Sequence, residues 1–482
     1  MRMTRRALCA SGALAVSIPA FARALAALAE DAVEPLSKAQ IHNLIAQRVD
    51  ALAGPDDGIG IVVGLIGPHG RRFVSIGHFN QGDRRALDAS TVFEIGSVTK
   101  IFTALLLADF IRRGEVSLSD PAAKYLPSKI KIPERAGKKI TLFDLATHTS
   151  GLPFMPPLPD SSAVAAKEYS RADLYGFLAD FTLTQDIGQW DYSNLGYWLI
   201  GEVLAARGGA DYEQLLMTRV VIPLGMRNTA FAASAPMQAQ LATGHDASSQ
   251  PADSMRSFPG YSLMAAAGGL LSTADDLLTI PSIALGYRRS PFAALIANSL
   301  SSRRATPTGG VEQALGWTVI ENRQGRLIFR DGGTFGYASA LIWDPLKRIG
   351  VVVLSNHVQS VSDIAHHLVR PDFPLDKPGV TRHTELPLDL ATLESYAGKY
   401  ENADEGIFEL RLDGNFLTFL APSDWGLPAL RLHAESALKF FANELPVLVT
   451  IQIGHDGGAT GILVTPPRGQ HTVQAQKVSS SR

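Results

Sequence analysis

Cysteine is almost absent from this chain, with one residue, Cys9, in 482. It falls within the first 29 residues, which have the make-up of a removable targeting segment. The remaining chain then has no thiol, which excludes disulfides, a cysteine nucleophile and thiolate metal sites together. Charge of one sign is lacking as well. With 44 basic and 46 acidic residues, nothing points to a nucleic-acid partner or an anionic membrane surface. No H-E-x-x-H pattern occurs, and His366 and His367 are neighbours on a predicted helix, so they face different ways. No metal and no cofactor are expected.

Long apolar runs are also missing. The first 29 residues start with Arg2, Arg5 and Arg6 and continue apolar to Ala22, but Gly12 and Pro19 interrupt them. That run is too short for a good membrane span. Small-residue cleavage triplets follow, Ala22-Arg23-Ala24 or Ala27-Leu28-Ala29, and Thr4-Arg5-Arg6 with Leu8 suggests twin-arginine export. The expectation is a periplasmic or secreted protein whose mature chain is not inserted in the membrane.

What is present reads as two folded regions. Residues 36–52 have helical spacing, and β-rich runs at 58–66 and 72–77 flank the hairpin signal Pro68-His69-Gly70. The G-I-G-I-V-V-G run at Gly58 reads as a glycine-rich strand, since no helix follows it. From 92 to 297 the chain is mainly helical, with a Pro-rich loop at 151–160. Strands are predicted at 316–320, 327–330, 337–343 and 349–355, then a helix at 361–369. This predicts an α+β domain over 30–370 with a mostly antiparallel sheet. A Pro- and charge-rich linker, 371–388, leads to a small all-β, barrel-like domain over 389–482, with strands at 406–412, 416–420, 447–453 and 461–464.

The chemistry starts at Phe93-Glu94-Ile95-Gly96-Ser97-Val98-Thr99-Lys100, where an apolar helix begins. Ser97 and Lys100 are three apart and share a helix face. A lysine in apolar surroundings gives up its proton more readily and can serve as a general base. A serine beside it can then attack a carbonyl, while the helix N-terminus favours the developing negative charge. The same spacing at Ser128 and Lys131 lies in a Pro-flanked loop and reads as chance. A second element is Asp191-Tyr192-Ser193-Asn194 at a helix start, where Tyr192 can relay protons and Asn194 can hold Lys100, a substrate amide or merely the helix end. Tyr400-Glu401-Asn402 repeats that spacing in the β region. A third is Arg330-Asp331-Gly332-Gly333 at a strand edge, where glycines admit a substrate backbone and a free N–H can complete an oxyanion hole. His148 invites a Ser-His-Asp reading, but no G-x-S-x-G elbow accompanies it, and its Thr and Ser neighbours predict a hydrogen-bonded turn.

In this order the three elements resemble the serine β-lactamase and penicillin-binding-protein superfamily, in its class C and D-Ala-D-Ala carboxypeptidase branch. Leu145-Ala146-Thr147-His148-Thr149-Ser150-Gly151-Leu152-Pro153, Pro223-Leu224-Gly225-Met226 and Gly268-Gly269-Leu270-Leu271-Ser272-Thr273 are similar to further landmarks of that family. The resemblance covers about 36–369 and implies a β-lactamase/transpeptidase-like three-layer fold. It implies Ser97 as nucleophile, Lys100 as its base partner, Tyr192 as relay, Asn194 as positioner and the N–H groups of Ser97 and Gly333 as oxyanion hole. It also implies a small-molecule or peptidoglycan-derived peptide, amide or ester as substrate. The β region resembles barrels appended to some D-aminopeptidases and carboxypeptidases, as a lid or spacer. The alternatives are a true class C β-lactamase and a non-catalytic penicillin-binding-like protein. The departure lies at Arg330-Asp331, where the family shows Lys-Thr-Gly or His-x-Gly. There Asp331 is expected to neutralise part of the Arg330 charge.

Overall fold

The computed structural model describes residues 36–52, 58–156, 169–257, 261–376, 385–422, 425, 427, 429–442, 447–454, 458–465 and 472–478. The expected leader with Cys9, loop residues 157–168 and linker residues 377–384 lie outside them.

β1 (Ile61–Gly67) and β2 (Gly70–Ile76) make the expected hairpin, with Gly67 opposite Gly70. β3 (Arg303–Ala305), β4 (Val311–Ala314), β5 (Thr318–Asn322), β6 (Gly325–Gly333), β7 (Ala338–Asp344) and β8 (Ile349–Ser355) follow. They form one antiparallel sheet in the order β2-β1-β8-β7-β6-β5-β4-β3. The short strands β3, at the sheet edge, and β4, next to it, were not legible in the sequence.

The central strands β1, β7 and β8 are buried along almost their whole length, as strands are when both faces are covered. On one face Val62, Ile66, Leu341, Trp343, Val352 and Leu354 join the main core with the helical segment. Their alternates Val63, Leu65, Ile342, Val351 and Val353 are buried as well, on the other face. The principal helices are α1 (Lys38–Leu52), α2 (Thr99–Arg112), α3 (Asn194–Gly208), α4 (Tyr261–Gly268) and α5 (Ser362–Val369). A buried ion pair, Arg48–Asp363, ties α1 to α5. Helix α2 is buried from Thr99 to Phe110, which accounts for its apolar character on every side. The result is the expected three-layer α+β fold.

The C-terminal region is a closed eight-stranded antiparallel barrel rather than the four strands legible in the sequence. Its strands are β9 (Gly398–Asn402), β10 (Gly406–Asp413), β11 (Phe416–Leu420), β12 (Leu430–Ala434), β13 (Lys439–Ala442), β14 (Leu448–Ile453), β15 (Ala459–Thr465) and β16 (Val473–Lys477). Pairing of Tyr400 with Lys477 closes the ring, which leaves no open sheet edge. Tyr400, Phe408, Phe419, Ile451 and Ile462 fill its interior. Among the described residues no helix is long and apolar enough to cross a membrane.

Candidate active site

Ser97 sits in a 3₁₀ turn, Gly96–Val98, that runs directly into α2. Lys100 then lies one turn on, fully buried, with its Nζ 3.0 Å from Ser97 Oγ. Burial of an ammonium is tolerable only with partners, and Lys100 has two more acceptors. These are Asn194 Oδ1 at 2.6 Å and the Ala267 carbonyl at 2.8 Å. The second belongs to the last turn of α4, where backbone carbonyls lack helical partners and the dipole favours a cation. Thr103 Oγ1 similarly donates to Ala266 O at 2.6 Å.

The second group at the serine is Tyr192, whose hydroxyl donates to Ser97 Oγ at 2.9 Å. Ser193 Oγ fixes the loop by donating to Pro153 O at 2.7 Å and accepting from Gly196 N at 3.0 Å. Ser193, rather than Asn194, therefore caps α3, and the Asn194 side chain is committed to Lys100. Beneath Tyr192 lies His148, with ring centroids 4.2 Å apart. His148 adopts φ +58° and its Nδ1 accepts from Ser193 N at 3.2 Å, so it shapes the tyrosine loop.

The third element closes the other side of Ser97. The end of β6 runs past the 3₁₀ turn so closely that glycine is required at both contacts. A Cβ on Gly96, which has φ +47°, would lie 2.6 Å from Gly333 O, and one on Gly332 would lie 2.3 Å from Ile95 O. The backbone nitrogens of Ser97 and Gly333 flank this contact, each 2.8 Å from one of those Cβ positions.

This arrangement fits what comparison with known proteins finds. The beta-lactamase family model matches residues 45–370, about two thirds of the chain. The chain belongs to the beta-lactamase family. It is a serine hydrolase of that family. It is 28% identical over 338 residues to D-alanyl-D-alanine-carboxypeptidase/endopeptidase AmpH of Escherichia coli K12, covering 67% of this chain and 86% of AmpH. It is 27% identical over 357 residues to a beta-lactamase of Pseudomonas fluorescens, covering 66% and 93%. The crystal structure of a class C beta lactamase from Rhodobacter sphaeroides superposes with a TM-score of 0.55 at 26% identity, covering 66% of this chain and 95% of that one. The barrel lies beyond the family match.

The family's third motif is where the structure corrects the sequence reading. Arg330 and Asp331 form no ion pair among the described residues, because consecutive strand residues project to opposite faces. Arg330, 3% exposed, donates to the Tyr192 hydroxyl at 2.5 Å and to Ser97 O at 3.4 Å. Asp331 is exposed and accepts from Ser362 Oγ at 3.3 Å. Asp331 therefore does not neutralise the Arg330 charge, contrary to the expectation from the sequence. Ser97, Lys100, Tyr192, Asn194 and Arg330 do meet at one point, with Gly332 and Gly333 beside them. The duplicate patterns do not. Ser128 and Lys131 are exposed, and Tyr400 is buried in the barrel with its hydroxyl on Tyr396 O. His366 and His367 bind separate carbonyls, Ser362 O and Phe373 O. Sequence reasoning missed the Ala267 carbonyl, since a backbone acceptor leaves no mark on residue type.

Proposed function

We propose that this chain is an exported serine hydrolase that forms an acyl-enzyme on Ser97 and acts on D-amino-acid peptides, amides or esters. The observation that carries the reading is the meeting of two proton-carrying groups, Lys100 Nζ at 3.0 Å and Tyr192 OH at 2.9 Å, at one serine oxygen. Lys100, in its amine form, takes the Oγ proton as Oγ bonds to the substrate carbonyl carbon. The carbonyl π pair moves to oxygen, where the N–H groups of Ser97 and Gly333 hold it. Collapse re-forms the carbonyl and breaks the bond to the leaving amine or alkoxide, which receives a proton through Tyr192. Arg330 stabilises the negative charge that the phenol oxygen gains during that transfer. Water, deprotonated by the same groups, then attacks the ester, releasing the acid and returning the proton to Ser97. Asn194 keeps Lys100 aimed.

The charges around the site support this substrate class. Arg330 is buried, with Nη2 on the Tyr192 hydroxyl and Nε on Ser97 O, while Asp331, projecting from the opposite face of β6, leaves its carboxylate in solvent. β-Lactams and D-Ala-D-Ala peptides both carry a carboxylate, which a like charge near the end of β6 disfavours, whereas simple esters and D-amino amides need not. The second reading, a class C β-lactamase, is favoured by the named relatives alone. The barrel serves as a lid or spacer. Comparison of kcat/KM for a p-nitrophenyl ester, a D-Ala-D-Ala peptide and a chromogenic cephalosporin tests the order. The ester is expected to be turned over best. Cephalosporin hydrolysis on the order of 10⁶ M⁻¹s⁻¹, within the usual range of efficient enzymes, overturns it in favour of the β-lactamase.

A further inference from the structure

Glu94 has no part in the steps above, yet it stands three residues before Ser97 on a short strand, Val92–Glu94, that pairs with Leu271–Thr273. Only 5% of it is exposed. Its Oε1 accepts from Ser254 Oγ, and that oxygen in turn accepts from Arg256 N at 3.1 Å. Its Oε2 is buried without a hydrogen-bond partner, and so is Thr334 Oγ1, although the Thr334 hydroxyl lies near enough to act on the carboxyl. Thr334 directly follows Gly333, and its backbone N–H bonds to Tyr337 O at 3.0 Å.

A buried carboxylate needs a counter-charge. The charged and titratable groups facing Glu94 are Arg256, Tyr261 and Tyr337. None supplies a counter-charge in contact. The Arg256 guanidinium donates to Phe231 O and lies over the Tyr261 ring, 5.5 Å from its centroid. Tyr337 gives its hydroxyl to Ala242 O at 2.6 Å. Among the described residues Glu94 has no ion pair. One hydrogen bond between Oε2 and Thr334 Oγ1 satisfies both orphan atoms in either direction, so the deep burial without a counter-charge in contact is what assigns the proton to the acid.

We propose that Glu94 is a neutral carboxylic acid that positions the oxyanion strand, its Oε2–H donating to Thr334 Oγ1 and so fixing Gly333 against Ser97. Burial, the largest influence on this carboxyl, raises its proton affinity in the same sense. Deprotonation removes the donor and puts a negative charge behind the hole, where it opposes the charge of the transition state. The proposal rests on the reading of Ser97 and Gly333 as oxyanion hole, and its test has one arm that does not.

That arm is infrared difference spectroscopy of the full chain, wild type against Glu94→Gln, with ¹³C-labelled glutamate at pH 6. A protonated-carboxyl band that disappears in the variant is expected, and a carboxylate band alone overturns the proposal whatever Ser97 does. The second arm is the pH profile of kcat and KM on a p-nitrophenyl ester. Glu94→Ala should lower kcat by about 10-fold or more with little change in KM, as for weakened transition-state stabilisation. Glu94→Gln, which keeps both hydrogen bonds, should restore kcat to within about 3-fold of wild type and lack the wild-type decline attributable to this group at high pH. Equal loss in the two variants at every pH, or wild-type kcat in Glu94→Ala, overturns the positioning role. Should Glu94→Ala fail to fold, the isosteric variant and the infrared band still decide. Unreactive Ser97 in the wild type, by contrast, refutes the acyl-enzyme and not the neutral acid.

Discussion

Substitution of Gly96 by alanine tests the packing of β6 against the serine turn. At φ +47° an alanine pays about 1–2 kcal/mol in backbone strain. Its Cβ would also lie 2.6 Å from Gly333 O and 2.8 Å from Gly333 N, whereas ordinary contact begins near 3.4 Å. The Gly333 peptide must therefore retreat by about 0.8 Å, the difference between 3.4 and 2.6 Å. Relief by sliding the strand is blocked, since Gly332 already packs on Ile95 O. A misplacement of about 1 Å in a catalytic group costs roughly 10² in rate. Gly96→Ala is expected to slow fluorophosphonate labelling and ester kcat by about that factor, and to lower the melting temperature by about 2–4 °C. The assay is stopped-flow labelling beside a thermal melt. Labelling at the wild-type rate in a folded variant would refute the argument, for it would mean that the end of β6 does not set the geometry at Ser97.

Lys100→Met removes the donor shared by Ser97 Oγ, Asn194 Oδ1 and Ala267 O, and turnover should fall by about 10² or more, the scale of a lost acid–base group; near-wild-type kcat would exclude Lys100 as base. Asp331→Thr removes one exposed like charge near the end of β6 and should raise cephalosporin kcat/KM by about 5-fold, leaving ester turnover alone; no change would mean Asp331 does not act on the substrate carboxylate. Stability should fall in acid because of His357, which is 2% exposed and held down to about 4 by burial. Its neutral form is favoured only in the folded state, so the contribution is complete above pH about 6.5 and is lost between there and pH about 4, by up to roughly 3 kcal/mol. Urea midpoints measured from pH 7 to 4 should therefore decline less steeply in His357→Gln, and an unchanged slope contradicts the assignment.

The sequence disclosed most of the candidate site because each motif places chemistry-bearing side chains at fixed local spacing. Ser97 and Lys100 needed only a helical turn, and Tyr192 with Asn194 only a helix start. The α+β domain with its antiparallel sheet was legible from runs such as Ile349–Ser355, and its three layers from the family resemblance. Long-range pairings were not. That Arg330 reaches Tyr192 rather than Asp331 depends on the face each presents from β6, and the alternation of a strand decides that only once its register is known. Half of the barrel was missed for a related reason. Leu430–Ala434 and Val473–Lys477 are short and mix charged or amide residues with apolar ones, and only ring closure gives them partners on both sides. Glu94 was visible in the motif, but its isolation from any counter-charge is a tertiary fact.

The central claim is that Ser97 carries the acyl group. The direct measurement is intact-protein and peptide mass spectrometry after incubation with a fluorophosphonate and, separately, with a penicillin. One phosphonyl adduct per chain, mapped to the peptide containing Ser97 and absent from Ser97→Ala, is the predicted result, with any penicilloyl adduct on the same residue. An adduct that persists in Ser97→Ala, or that maps to another serine such as the exposed Ser128, would contradict the account.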